Sequence, residues 1–247
     1  MSDSILSLMK ENFKITNDCI ILAAPLVIFV TLIQLYMDNF QYRLSNYANY
    51  ISYLLVLWIF MSAFLSGWLY MVKKTIQFNK KKYLYELDRL SALRNLFLCL
   101  FKGVGRFFPC ILTITAFYFV FSLFKTIVII CLYNLPLKLG FLFLSILFLI
   151  IQFFIYFWFI YLAPEIVYSY KNAFICIGNA IKKIFTVLKQ SILLYIIVCL
   201  FCVLFYFVLV YIEVHPIIYF FELLSAYYAI LYFVILVFRN YEKNFIE

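Results

Sequence analysis

A single histidine, His215, stands in the 247 residues, and only eleven aspartates and glutamates accompany it. One histidine excludes a multi-histidine metal centre. The acids are dispersed at opposite ends of long apolar runs, so neither a Ser-His-Asp triad nor a pair of metal-binding carboxylates can be assembled. An enzyme is therefore the weakest reading, and neither cofactor nor metal is expected. Glycine and proline are also scarce, at five each. The one close glycine pair, in the tract Lys102, Gly103, Val104, Gly105, Arg106, lacks the preceding strand and third glycine of a dinucleotide-binding turn, and reads as a flexible joint. Charge is the third shortage, at 13% of residues against about 25% in ordinary globular chains.

What fills the sequence instead is apolar, 68% of it, in uninterrupted stretches. Crossing a bilayer takes about 20 apolar residues. Six runs qualify: Cys19 to Met37, Ile51 to Val72, Phe107 to Cys131, Leu139 to Leu162, Ser191 to Ile212 and Ile217 to Phe238. Prolines punctuate them, with Pro25 and Pro109 in the first turns of spans one and three, Pro136 in a turn, Pro164 just after span four and Pro216 opening span six. The abundance of Phe (31) and Tyr (22), with Ile, Lys and Asn, matches residues whose codons are rich in A and T. That points to genome composition rather than to an aromatic site. Seven cysteines, an odd number, lie almost wholly within apolar or amphipathic stretches and read as small packing residues, the Cys199/Cys202 pair included.

The net charge of +9 is explained by where the lysines and arginines fall. Two precede span one, nine lie between spans two and three, four between spans four and five, and two follow span six, so seventeen of twenty share one side. Basic short loops are retained in the cytoplasm. The expectation is a six-span protein of a prokaryotic cytoplasmic membrane with both termini inside, and nucleic acid is not needed to account for the charge. The first sixteen residues show no secretory pattern, so span one is expected to be retained.

Three cytoplasmic stretches carry helical apolar stripes. Leu87, Leu90, Leu93, Leu96, Phe97 and Leu100 lie on one. Phe174, Ile177, Ile181, Ile184, Phe185 and Leu188 lie on another, and Ile5, Leu8, Met9 and Phe13 on a shorter one. They are expected as interfacial helices whose Lys80, Lys81, Lys82, Arg89, Arg94, Lys182 and Lys183 meet anionic headgroups. Their placement suggests one integral domain, 1–247, built as a threefold repeat of amphipathic helix plus transmembrane hairpin over 1–72, 80–163 and 170–238, anchored on Asn12, Asn95 and Asn179.

Few ionisable groups fall at membrane depth, where each costs about 2.5 to 3.5 kcal/mol at the helix centre. Lys125, Glu213, His215 and Glu222 converge on one level at the outer face. One reading is a polar site in which Lys125 and Glu222 pair and His215 or Glu213 gates an ion, proton or headgroup. The plainer reading, which the residues favour, has Lys125 snorkelling and the others solvated or held locally. Glu165, after Pro164, reads as a carboxylate balancing the basic helix that follows.

The stretch YLAPEIVYSYKNAFICIGNAIKKIFTVLKQSILL, Tyr161 to Leu194, resembles the segment joining spans four and five in uncharacterised bacterial six-span membrane proteins. These in turn are similar to the membrane domain fused to some glycerophosphodiester phosphodiesterases. The resemblance implies a helical membrane scaffold and brings no catalytic residues, because the phosphodiesterase domain is missing here. The sequence thus predicts an all-α polytopic bundle, a non-enzymatic scaffold or accessory protein that engages anionic lipid, a protein partner or a second copy of itself. The alternative is a small transporter or channel working through Lys125 and Glu222.

Overall fold

The computed structural model describes the backbone of residues 2–41, 47–80, 89–133, 138–211 and 216–246. Side chains are described over 9–36, 52–78, 94–125, 146–203 and 224–246, and at Val128. Among the described residues all regular structure is helical, as the apolar runs require: a backbone in hydrocarbon must satisfy its own polar groups. The helices are α1 (Ser2–Asp18), a 3-10 turn (Ile20–Leu22), α2 (Ala23–Gln41), α3 (Tyr47–Lys80), α4 (Arg89–Tyr133), α5 (Lys138–Trp158), α6 (Leu162–Ser169), α7 (Ala173–Thr186), α8 (Leu188–Tyr211) and α9 (Pro216–Phe245). Four stretches, Ser52–Phe78, Arg94–Lys125, Ile146–Ser169 and Leu224–Phe245, are long and apolar enough to cross a bilayer. Met9–Asp18 with Ile20–Tyr36, bent by 67°, and Ala173–Thr186 with Leu188–Val203, bent by 103°, pass the same test as pairs, raising the number from four to six. The chain is an all-α polytopic membrane bundle.

α3 and α4 form an antiparallel pair packed along most of their length. Between membrane helices the hydrophobic effect gives little drive, so close backbone approach and buried polar contacts have to supply the adhesion. Both are present. A Cβ added to Gly67 would lie 2.6 Å from the Leu100 carbonyl oxygen, and one on Gly103 would lie 2.8 Å from the Ser66 carbonyl oxygen and 2.9 Å from Gly67 Cα. Farther along, Trp58 Nε1 donates to Thr115 Oγ1 at 2.9 Å, and Ser62 Oγ shares a 2.9 Å hydrogen bond with the same hydroxyl.

This overturns the flexible joint expected at residues 102–106. The helix runs unbroken through Gly103 and Gly105, and Gly103 is there because α3 leaves no room for a side chain. Pro109 likewise sits well inside the 45-residue α4 rather than in a first turn. Pro164 does not close span four either. It falls in the first turn of α6, after a break at Phe159–Tyr161, where a missing N–H costs nothing.

α9 lies at the other side of the core and is strapped by α1. Asn12 Nδ2 donates to the Tyr232 carbonyl at 2.9 Å, Tyr232 OH to the Met9 carbonyl at 3.1 Å, and Tyr228 OH to Asn17 Oδ1 at 2.8 Å. At the α1–α2 bend the Leu22 carbonyl accepts from Trp68 Nε1 at 3.1 Å. The buried core gathers Leu22, Trp68, Val72, Phe107, Ile166 and Leu231 between α3, α4, α6 and α9. α4 and α5 expose most of their length to lipid, with Phe101, Val120, Phe124, Leu149 and Phe154 on the outside.

The three repeat anchors sit in different surroundings. Asn12 is buried against α9, Asn179 is half-buried and bonds a carboxylate, and Asn95 is exposed. Of the stripe residues, Leu96 and Ile184 are buried while Phe97, Phe174 and Phe185 are exposed. The buried face of α7 is Ala173, Cys176, Ala180 and Ile184.

Charge marks two levels of the bundle. Arg106 and Lys125 are separated on α4 by an unbroken uncharged stretch, ~28 Å along the axis at about 1.5 Å per residue. Glu222 and Arg239 are similarly placed on α9, ~26 Å apart. Both spacings match the roughly 30 Å hydrocarbon layer.

Candidate functional site

At the level of Arg106 and Arg239 the fold encloses a polar hub. Glu165, on α6, is only 1% exposed. Lys183 Nζ from α7 donates to its Oε2 at 2.7 Å, and Tyr241 OH from α9 donates to the same oxygen. Ser169 Oγ donates to Oε1 at 2.6 Å and Asn179 Nδ2 at 3.1 Å. Four donors from three helices, one of them a cation, suit a carboxylate anion, and their convergence offsets its desolvation. Lys183 also lies 4.5 Å from the Tyr241 ring centroid.

A second cluster adjoins it. Lys73 Nζ donates to the Val167 carbonyl at 2.9 Å and lies 4.3 Å from the Tyr168 ring centroid, while Tyr168 OH donates to Glu242. Arg106 stacks 4.0 Å over Tyr170, whose left-handed φ of 47° closes α6. Asn240 Nδ2 donates to Tyr161 OH at 2.6 Å, deeper in the bundle.

Outward from the hub lies a cleft of about 480 Å³ between α3, α5, α6, α8 and α9, within the 300–1,000 Å³ of ordinary ligand pockets. Leu69, Ile160, Ala163, Val198, Phe233 and Phe238 line it, with Tyr156, Tyr195, Cys199 and Cys202. No charged side chain is among its lining residues. Its floor, Leu69, Ala163 and Phe238, is one helical turn from Lys73, Val167 and Glu242. On the hub side it is bordered by the Lys73 to Val167 hydrogen bond and the Tyr168 to Glu242 pair.

Lys125 meets a side chain of α5. Its Nζ donates to Gln152 Oε1 at 2.9 Å, Gln152 Nε2 donates to Tyr156 OH at 2.6 Å, and Tyr156 and Tyr118 share a 2.7 Å hydrogen bond. A helical side chain leans toward its N-terminus, which carries the half-buried Lys125 along α4 toward Gln152. Among the described residues no carboxylate meets it.

The backbone of Glu222 is helical but its side chain lies outside the described set, as do those of Lys80 and Arg89. Glu213, His215, Arg43, Lys81 and Lys82 lie wholly outside the described residues. Arg94 and Lys182 are exposed, whereas Lys183 turns inward to Glu165. Sequence reasoning named Glu165 and its basic neighbours but missed Gln152, Tyr156 and Tyr241. A signal was available for Gln152 alone, which is the one glutamine, asparagine or charged residue between Leu139 and Tyr161. No protein-family model matches the chain, no curated protein matches it, and no solved structure matches it either.

Proposed function

We propose that the protein is a non-enzymatic lipid-binding membrane protein, whose cleft holds an acyl chain while its cationic ends meet anionic headgroups. The single observation that carries this reading is the cleft itself: a volume of about 480 Å³ at membrane depth with an apolar lining and no charged group. A wet path for ions or polar solutes needs charged or carbonyl-rich walls. These walls are leucine, valine, alanine, isoleucine and phenylalanine with two tyrosines and two cysteines, which suit a hydrocarbon chain.

Two further features support it. α7 leaves α8 at 103°, the angle of a helix lying flat beside one that crosses. It presents Phe174 and Phe185, 67% and 61% exposed, next to exposed Lys182, the arrangement of a helix at a headgroup boundary. The basic end is read as cytoplasmic by the positive-inside rule, and the membrane as the cytoplasmic one.

The test is lipid retention. The full chain, extracted from membranes and examined by native mass spectrometry, is expected to carry bound phospholipid. Val198→Trp, which fills the cleft, is expected to release it while the protein stays monodisperse. Undiminished lipid in Val198→Trp would reject the reading.

A further inference from the structure

We infer that the ligand of the cleft is a glycerophospholipid of the leaflet on the Lys125 side, with its phosphate held by Lys125 and its ester region by Gln152 and Tyr156. This rests on the lipid-binding reading and adds to it the headgroup site and the direction of entry.

Gln152 and Tyr156 share one face of α5, at i and i+4. Ile160 and Ala163 continue past the turn at Phe159–Tyr161 within the same span, Ile146–Ser169, so the residue that holds Lys125 and three that line the cleft lie along one span. Tyr156 belongs to both parts: it accepts from Gln152 at 2.6 Å and it lines the cleft. The polar strip therefore runs into the apolar cavity without a wall between them.

Length agrees. From Gln152 to the cleft floor at Ala163 the span covers ~16 Å at about 1.5 Å per residue, close to the ~15 Å that one leaflet contributes to a roughly 30 Å hydrocarbon layer. A phosphate at Lys125 thus puts its acyl chain end at the floor.

Charge agrees as well. Lys125 sits at the charged level ~28 Å from Arg106. Among the described residues its side-chain partner is the neutral amide of Gln152 and no carboxylate meets it, at the level where lipid phosphates lie. At the opposite end the two lysines nearest the cleft have partners inside the protein, Glu165 for Lys183 and a carbonyl plus a tyrosine ring for Lys73. A headgroup on the hub side would have to break those contacts. Tyr118 and Tyr156 are exposed on the lipid side of the strip, so a lipid can reach it laterally.

The test is a competition read by native mass spectrometry on the full chain, between phosphatidylglycerol and diacylglycerol with the same acyl chains. Wild type is expected to prefer phosphatidylglycerol by about tenfold, the value of one charge-assisted hydrogen bond. Lys125→Met should bring the ratio near one while diacylglycerol stays bound, and Lys125→Arg should restore the preference. Val198→Trp should lose both lipids. An unchanged ratio in Lys125→Met overturns the headgroup assignment and leaves the lipid-binding reading standing. A ratio lost in Lys73→Met but kept in Lys125→Met overturns it in favour of the hub side. Retention of both lipids in Val198→Trp overturns the lipid-binding reading itself.

Discussion

The two ends of the bundle use polar side chains in opposite ways. Around Glu165 every described donor turns inward, and the lysine, tyrosine, asparagine and serine that surround the carboxylate come from α6, α7 and α9. Around Lys125 the polar groups form a strip two helices wide, on a surface that faces lipid. In the first region removing any member strands a buried group, so the cluster holds the fold together. In the second the described members bond one another while Tyr118 and Tyr156 stay exposed, the arrangement the proposed lipid site needs. Burial, rather than the presence of charge, separates the enclosed cluster from the strip proposed to bind lipid.

The largest effect should come from breaking the enclosed end. Lys183→Met leaves the Glu165 carboxylate buried without its cation, and the loss is expected to be about 3 kcal/mol of stability, the usual result of removing one partner of a buried pair. Glu165→Gln in the same chain should recover part of it, because a neutral amide needs no cation. Unfolding in mixed detergent, followed through the three tryptophans, measures both. Equal stability of wild type and Lys183→Met would place Lys183 with the headgroup-facing lysines instead.

Next in size is the α3–α4 crossing. Gly67→Ala sets a methyl group against the Leu100 carbonyl at 2.6 Å, and separating the helices should cost about 1 to 3 kcal/mol. Gly105→Ala is the matched control, since nothing lies within 4 Å of its added Cβ. It should match or slightly exceed wild type, because alanine favours helix by about 1 kcal/mol. If both variants behave alike, the glycines serve flexibility after all.

That pair of variants also shows what the sequence could and could not reveal. Helical class and membrane depth were legible, because a long apolar run is informative one residue at a time and hydrocarbon allows few folds. Glu165 was legible as the partner of the basic helix because it is the lone acid near Lys182 and Lys183. The role of Gly103 was not, since a glycine needed for flexibility and one needed for contact look identical until the neighbouring helix is in place. Gln152 and Tyr156 were passed over for the same reason: among so many aromatics a tyrosine is unremarked until its hydroxyl is seen to meet Tyr118 and Gln152. The bends of 67° and 103° fall within a few residues of where two of the amphipathic stretches stop, whereas the third, expected as a separate interfacial helix, runs on into the span as one helix, α4.

A smaller change is expected where α5 and α6 meet α9. Tyr161→Phe removes the hydroxyl that accepts from Asn240 at 2.6 Å and leaves that amide buried. A loss of about 1 kcal/mol is expected, typical of a hydrogen bond between membrane helices. Asn240→Leu together with Tyr161→Phe should be closer to neutral, because both polar partners are then gone.

The smallest effect on stability belongs to the lipid-facing strip. Lys125→Met deletes a charge whose described side-chain partner is an amide, and Gln152 keeps its 2.6 Å hydrogen bond to Tyr156. The change in unfolding free energy should stay within about 0.5 kcal/mol, as for a surface substitution away from buried networks. The contrast with Lys183→Met is what carries the argument: two lysines, each hydrogen-bonded at under 3 Å, should differ several-fold in stability while only the one on the open strip alters lipid preference. If Lys125→Met destabilises the protein as much as Lys183→Met, the strip is a clamp between α4 and α5, and the division between an enclosed structural end and an open binding end fails.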